Sequence, residues 1–318
     1  TYNYNSELIK AMNEKLPNGT NLANTLIDML YLGKEAVYRR LRGEVPFTLA
    51  EAAMISQKMG VSLDKLAGTN VYSNAIFDLN IIRQTDPLET YYSIVDNYVK
   101  IFRDLNHDPS SELCTSSNMI PQTFYLKYEL LSKFRMFKWI YQFEKIDIEK
   151  HFEDIEIVDK LLEKQREFVR ESQEFQHTEY IWDNKLFIYL INDIKYFASV
   201  HLISQEYVQK LKKELLQLLN ELEEIATRGT FKTGREVCIY ISNINFEATY
   251  SYIASSAYHI SLVRVFAINS FATRDEQVFN SVKEWIHSLK RHSTLISQSG
   301  EIQRMMFFNE QKKVVDAL

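Results

Sequence analysis

A chain of 318 residues is too long for one small domain and is read as two or three. Hydrophobic residues at 46% supply packed cores, and charged residues at 25% are ordinary for a globular protein. Two cysteines, Cys114 and Cys238, give neither a disulfide framework nor a metal motif, so a reducing compartment is expected.

No apolar run reaches the roughly 18 residues that span a bilayer. The polar start, Thr1-Tyr2-Asn3-Tyr4-Asn5, lacks the apolar region of a signal peptide and an initiator Met. A cytoplasmic chain, processed or trimmed at its start and without a membrane partner, is the expectation. The net charge of −5 argues against nucleic acid until it is divided. Residues 1–70 hold 8 Lys or Arg against 7 Asp or Glu, a balance of +1. The remaining residues hold 29 basic and 35 acidic, a balance of −6. Within 31–43, Lys34, Arg39, Arg40 and Arg42 face one anion, Glu35. Local charge on one face governs phosphate binding.

In chain order, residues 1–70 read as five short helices. The first covers 6–15 and is broken by Pro17-Asn18-Gly19. Thr20 is placed to cap a helix from Asn21, in which Leu22, Leu26 and Leu30 recur every four residues. Residues 34–42 follow, with Val37 and Leu41 on one face and Gly43 as the terminal glycine. Thr48 and Glu51 form a capping box for a helix that stops at Gly60. Ser62 caps a last turn through Leu66. Leu26, Leu30, Val37, Leu41, Ala53 and Leu63 are the expected core.

Two stretches, Val37-Tyr38-Arg39-Arg40-Leu41-Arg42-Gly43 and Thr48-Leu49-Ala50-Glu51 through Gly60-Val61-Ser62-Leu63-Asp64-Lys65-Leu66, carry a resemblance in their order and spacing. Residues 6–67 resemble the helix-turn-helix domain of lambda-repressor-like (Cro/cI, XRE-type) bacterial regulators. Ile27 and Tyr31 stand where that family often has a small residue and a turn glycine, and Gly33 stands where a capping Ser is more usual. The resemblance implies a recognition helix in the major groove of double-stranded DNA. Lys34, Glu35, Tyr38 and Arg39 are then the base-reading residues. Thr20, Asn21, Arg40, Arg42 and Thr48 are assigned to phosphates.

Residues 71–86 read as a linker, with Gly68-Thr69-Asn70 before it and Ile76-Phe77 and Ile81-Ile82 as apolar patches. A helical bundle for dimerisation and sensing is expected over 87–230. Its first helix carries the stripe Tyr91, Ile94, Val95, Tyr98 and Phe102, and 106–117 is read as a loop. Further helices are expected at 121–143, 154–175, 183–200 and 205–227. In the last, Val208, Leu211, Leu215, Leu218, Leu222 and Ile225 repeat in heptads, a pattern for a bundle helix or a homodimer seam. Residues 231–318 read as a small α+β unit. It has strands at 237–242, 244–252 and 259–268, then a helix from about 274 to 290 and another from Gly300.

The expected fold class is therefore mainly α: a five-helix head, a central bundle and a small C-terminal α+β unit with antiparallel strands. Aromatic richness, with 19 Tyr and 19 Phe, suits cores and also the lining of a ligand cavity. Seven scattered histidines, the absence of a glycine-rich phosphate loop and of a Gly-x-Ser-x-Gly elbow argue for no metal, no cofactor and no catalytic residue. The layout is similar to Rgg-type peptide-sensing regulators, apart from the β-rich end. A homodimeric transcriptional regulator with a small-molecule or peptide effector is the leading expectation. A non-DNA-binding adaptor that uses the head as a protein-interaction module is the alternative.

Overall fold

The structure, a computed structural model, describes residues 3–16, 20–66, 75–82, 86–142, 151–265 and 268–318. The chain divides into two units, Thr1–Ala75 and Ile76–Leu318. The helix breaker at 17–19 and the Gly68-Thr69-Asn70 stretch lie outside the described residues.

The first unit holds α1 (Tyr4–Lys15), α2 (Leu22–Leu30), α3 (Lys34–Leu41), α4 (Leu49–Met59) and α5 (Leu63–Leu66). Leu8, Met12, Ala23, Leu26, Leu30, Val37, Ile55 and Val61 form its buried core. Leu41 and Leu63 pack on that core partly exposed. Ala53 is exposed, and Ile55 takes the place expected of it.

The second unit overturns the expected fold class. One eight-stranded mixed sheet runs through it, so the unit is α/β. Its strands are β1 (Asp78–Asn80), β2 (Glu112–Ser117), β3 (His177–Trp182), β4 (Val237–Ser242), β5 (Tyr250–Ala254), β6 (His259–Val265), β7 (Asn269–Thr273) and β8 (Ser293–Leu295). Their spatial order is β1-β7-β6-β5-β2-β3-β4-β8. The supposed bundle therefore contributes two central strands, and part of the supposed linker is an edge strand.

β2, β3 and β4 run parallel. Parallel neighbours need long crossovers. The first is made by α7 (Gln122–Tyr125), α8 (Glu129–Tyr141) and α9 (Asp159–Ser172), the second by α10 (Ile188–Ser199) and α11 (Gln205–Arg228). The single helix expected over 121–143 is thus two helices, and part of its end lies outside the described residues. β5, β6 and β7 form an antiparallel meander.

Alternation along each strand sorts side chains onto two faces. Leu113, Tyr180, Trp182, Ile239 and Ile253 join the large core under α8, α9, α11 and α6 (Pro87–Asn106). Cys114, Ile181 and Tyr252 face the other way, against Phe279, Val282, Ile286 and Leu289 of α12 (Glu276–Arg291). α13 (Glu301–Asp316) packs beside α11.

The heptad stripe is spent inside this core. Val208, Leu211, Leu215, Leu218, Leu222 and Ile225 are all buried within the chain's own second unit. They leave no apolar seam for a second copy, which corrects their reading as dimer contacts. No described helix is long and apolar enough to cross a membrane.

Candidate nucleic-acid interface

The first unit builds its candidate interface from α2, a three-residue turn and α3. Asn21, rather than Thr20, caps α2: its side chain accepts the Asn24 N–H at 3.2 Å. The helix therefore starts one residue later than expected, and Thr20 is exposed beside it. α2 ends at Tyr31, which takes the left-handed conformation at φ 55°. This is the position the sequence places where a glycine is usual. Gly33 then begins α3 without a side-chain cap.

Val37 is fully buried and fixes which side of α3 faces the core. At 100° per residue, Glu35, Arg39 and Arg42 fall on the opposite side. All three are exposed. Lys34 is exposed at the first turn and makes no hydrogen bond or ion pair with the described residues. Tyr38 is half-buried with its side chain packed on the core. Its ring serves the fold, which corrects its reading as a freely outward base reader.

The arginines are already engaged. Arg42 donates to Glu44 at 2.6 Å and to Glu35 at 3.0 Å. Those hydrogen bonds, Glu44's first, raise the Arg42 pKa. Arg42 in turn draws the Glu44 carboxyl below its ordinary value. Arg39 lies 3.5 Å from Glu44. Glu44 sits just beyond the basic stretch, and its partnership with both arginines is invisible in a count that stops at 43. Pairs this exposed contribute little and exchange readily for other anions.

Arg40 has a different role from the one expected. Its Nε and Nη2 donate to Glu51 at 2.9 and 2.8 Å, and its side chain is only 14% exposed. A guanidinium held bidentately in that position is withdrawn from phosphate, which corrects its assignment. Burial pushes the Glu51 carboxyl up, but the bonds from Arg40 and Thr48 outweigh it and hold it below the usual range. Thr48 is the cap of α4, with the reciprocal box the sequence shows.

Asn5 is a residue the sequence reading passed over. Its amide donates to the Arg40 carbonyl at 3.3 Å, and its carbonyl accepts the Phe47 N–H at 2.9 Å. It thereby ties α1 to both sides of the α3–α4 connection, and a lone polar residue in a first helical turn carries no local sign of that.

The geometry thus brings Lys34, Glu35, Arg39 and Arg42 onto one accessible helix, leaves Thr20, Asn21 and Thr48 at helix starts, and removes Arg40 and the Tyr38 ring. Among the described residues, no group of three or more His, Cys, Asp or Glu side chains is placed to hold a metal ion. No family model matches the chain, and no curated protein or solved structure matches it either.

Proposed function

We propose that the first unit is a helix-turn-helix head that binds double-stranded DNA, and that the chain is a sequence-specific transcriptional regulator. The observation that carries this reading is the α2–turn–α3 pair: α3 is locked to the core by Val37 and presents Arg39, Arg42 and Glu35 outward. A helix so mounted has the form that enters a major groove. In this reading Lys34, Glu35 and Arg39 meet base edges and Arg42 meets phosphate, each exchanging an exposed ion pair or hydration for DNA. The helix starts at Asn21 and Thr48 supply backbone N–H groups to phosphates. The proposal assigns the protein no catalytic step.

One such head buries little DNA, so the working species is proposed to be a homodimer on a two-fold site. Its contact lies elsewhere than the 208–225 stripe. The second unit is proposed to sense an effector. Both cysteines are free. Cys114 and Cys238 each register with Glu179 from opposite sides of β3. Two strand spacings, about 10 Å, separate them, too far for a disulfide.

Mapping bound DNA across the source genome, then titrating the recovered duplex at several salt concentrations, tests the reading. A sequence-specific site whose affinity falls steeply with salt is the expected outcome. The engagement of Arg42 by Glu35 and Glu44 favours one other reading, a protein-interaction module. Tyr31 and Leu49, 84% and 82% exposed, would then be its apolar contacts. Recovery of a protein partner with no salt-dependent DNA binding would put that reading in place of the first.

A further inference from the structure

β6 places one charged side chain on the apolar face of the sheet. Ile260, Leu262 and Arg264 point to the same side by alternation, and the first two belong to the large core. Arg264 lines a cavity of about 100 Å³ between α6 and the sheet. Tyr91 and Tyr98, from the α6 stripe, line the same cavity from the helix side. Of the described residues that line it, Arg264 alone carries a charge.

Among the described residues the guanidinium has no ion-pair partner. Directly opposite on β7 is Ser270, and the Arg264 N–H donates to the Thr249 carbonyl at 3.0 Å on the other side. The groups whose charge it feels are Tyr125, Arg135, Tyr91 and Tyr98, a set with no carboxylate. Burial lowers its pKa, but an arginine keeps its proton.

Three polar atoms of the lining are shut off from solvent with no hydrogen bond of ordinary geometry: Tyr91 Oη, whose neighbour is the Gln165 side chain, Gln122 Nε2 and Arg264 Nη1. All three bear donor hydrogens. Most other hydroxyls around the cavity are already paired. Thr115 Oγ1 and Ser251 Oγ lie 3.0 Å apart, and Asn80 Nδ2 donates to Tyr98 Oη at 2.8 Å and Ser270 Oγ at 3.4 Å. Buried polar groups are satisfied almost everywhere in folded proteins. Three unmet donors, one of them cationic, on one cavity call for an acceptor-rich anion.

We infer that this cavity binds a short-chain monocarboxylic acid, with its carboxylate on Arg264 and its apolar chain among Ile94, Val95 and Phe102. One positive charge matches one negative charge. A guanidinium takes a carboxylate by two parallel hydrogen bonds. A dry cavity of about 150 Å³ accommodates one benzene. The present volume therefore suits about four to six non-hydrogen atoms, the size of propionate or butyrate. The inference stands on the second unit alone and does not depend on DNA binding by the first.

Calorimetric titration of the full chain at constant ionic strength tests it. The probes are sodium acetate, propionate, butyrate and hexanoate, with butyramide, butylammonium and inorganic phosphate as controls. Butyrate or propionate is expected to bind one per chain, with butyramide weaker by about 30-fold or more, since it cannot form an ion pair with the guanidinium. Arg264→Met is expected to abolish carboxylate binding. Ile94→Trp keeps the arginine but fills the space, and is expected to abolish binding as well. Circular dichroism confirms that each variant is folded. If Arg264→Met does not fold, Ile94→Trp and the butyramide comparison decide. The inference is overturned by equal binding of butyrate and butyramide, by undiminished butyrate binding to either folded variant, or by phosphate binding tighter than every carboxylate. Failure of every carboxylate in the series to saturate the protein by about 10 mM overturns it too.

Discussion

Arg40 and Glu51 meet through two hydrogen bonds, Nε and Nη2 donating at 2.9 and 2.8 Å, and so join the last turn of α3 to the first turn of α4. The same carboxylate accepts the Thr48 N–H at 2.9 Å. One side chain therefore caps one helix and anchors another. Glu51→Ala removes part of the cap and leaves a mostly buried guanidinium without its partner. The expected cost to the head is about 2–3 kcal/mol. Amide hydrogen exchange in α3 and α4 is the suitable measurement, because Trp139, Trp182 and Trp285 all lie in the second unit and tryptophan fluorescence does not report on the first. Exchange in Glu51→Ala no faster than in the parent would show that the pair contributes nothing.

Tyr31 occupies the left-handed region at φ 55°, where a side chain crowds the backbone. Its ring is 84% exposed, so little packing holds it there. Lys58 Nζ lies 5.9 Å from the ring centre. Tyr31→Gly relieves the crowding but gives the unfolded chain more backbone freedom, which opposes part of that gain. The balance is expected to stabilise the head by about 0.5–1 kcal/mol. Slower amide exchange across α2 and α3 is the readout. A faster rate would mean that Tyr31 makes a contribution its exposure does not suggest.

Local signals made the head legible. The Thr48–Glu51 box, the terminal Gly60 and the four-residue leucine spacing of α2 each act within one or two turns, and each appears where the sequence places it. The second unit is governed by non-local pairing, and there the reading failed. β2 spells Glu-Leu-Cys-Thr-Ser-Ser, too polar to look like a central strand. Its Thr115 and Ser117 are accommodated only because Ser251 and Thr249 face them across the sheet, at 3.0 and 3.2 Å. β3 is six residues in the interval that the helical patterns of 154–175 and 183–200 leave unassigned, too short and isolated to declare itself a central strand. The Tyr91–Tyr98 stripe was visible as a helix face. That it covers a lone arginine more than 160 residues later is a property of the sheet order, which no local pattern encodes.

Glu179 on β3 accepts from Lys290 of α12 and lies 3.0 Å from His177 Nε2, with Cys114 and Cys238 in register on either side. Burial pushes its carboxyl up, but His177 and Lys290 outweigh burial and bring it to about 2. A carboxyl depressed on folding stabilises the folded state above its unfolded value, about 4.3. That contribution is lost as pH falls through about 2. His177 has its pKa raised by the Glu179 hydrogen bond. Its share is present below the ordinary histidine value and lost as pH rises through the raised one. Glu179→Gln is expected to cost on the order of 2 kcal/mol at pH 7, discounted for the partial exposure of both partners. It should also flatten the acid limb of the stability curve below about pH 4. Urea denaturation followed by tryptophan fluorescence from pH 2 to 8 measures both. An acid limb identical to the parent's would remove Glu179 from the account.

Arg264 pairs with no anion among the described residues, so its removal is expected to help the fold as it harms ligand binding. Arg264→Met replaces an isolated cation with an apolar chain of nearly the same reach. The ligand-free variant is expected to be more stable than the parent by about 1 kcal/mol or more. Saturating butyrate should raise the melting temperature of the parent and leave that of the variant unchanged. A variant markedly less stable than the parent would show that the guanidinium is held by the fold for a structural purpose.

Arg39 and Arg42 share the exposed face of α3 but differ in place and partnership. Arg39 lies two residues past buried Val37 in mid-helix, and its contact with Glu44 is a loose 3.5 Å. It is free to reach a base edge at small cost. Arg42 follows the last helical residue and is bound by both Glu35 and Glu44. It is placed for the DNA backbone, where a phosphate replaces those carboxylates. Arg39→Ala is therefore expected to weaken the natural site by about tenfold or more and to relax preference at one base pair. Arg42→Ala should weaken natural and scrambled duplexes alike and lower the salt slope by about one unit. A third variant follows from the ion pairs themselves. Glu44→Gln removes the charge partner of Arg39, leaves Arg42 with Glu35 alone, and should strengthen binding to every duplex, most at low salt. None of the three should disturb the core, since all are surface positions away from Val37. Titrations on specific and scrambled duplexes across a salt series separate these effects. Equal losses for Arg39→Ala and Arg42→Ala on both duplexes would place the base-reading residues elsewhere on α3. Unchanged binding in all three would take DNA away from this face and leave it to a protein partner.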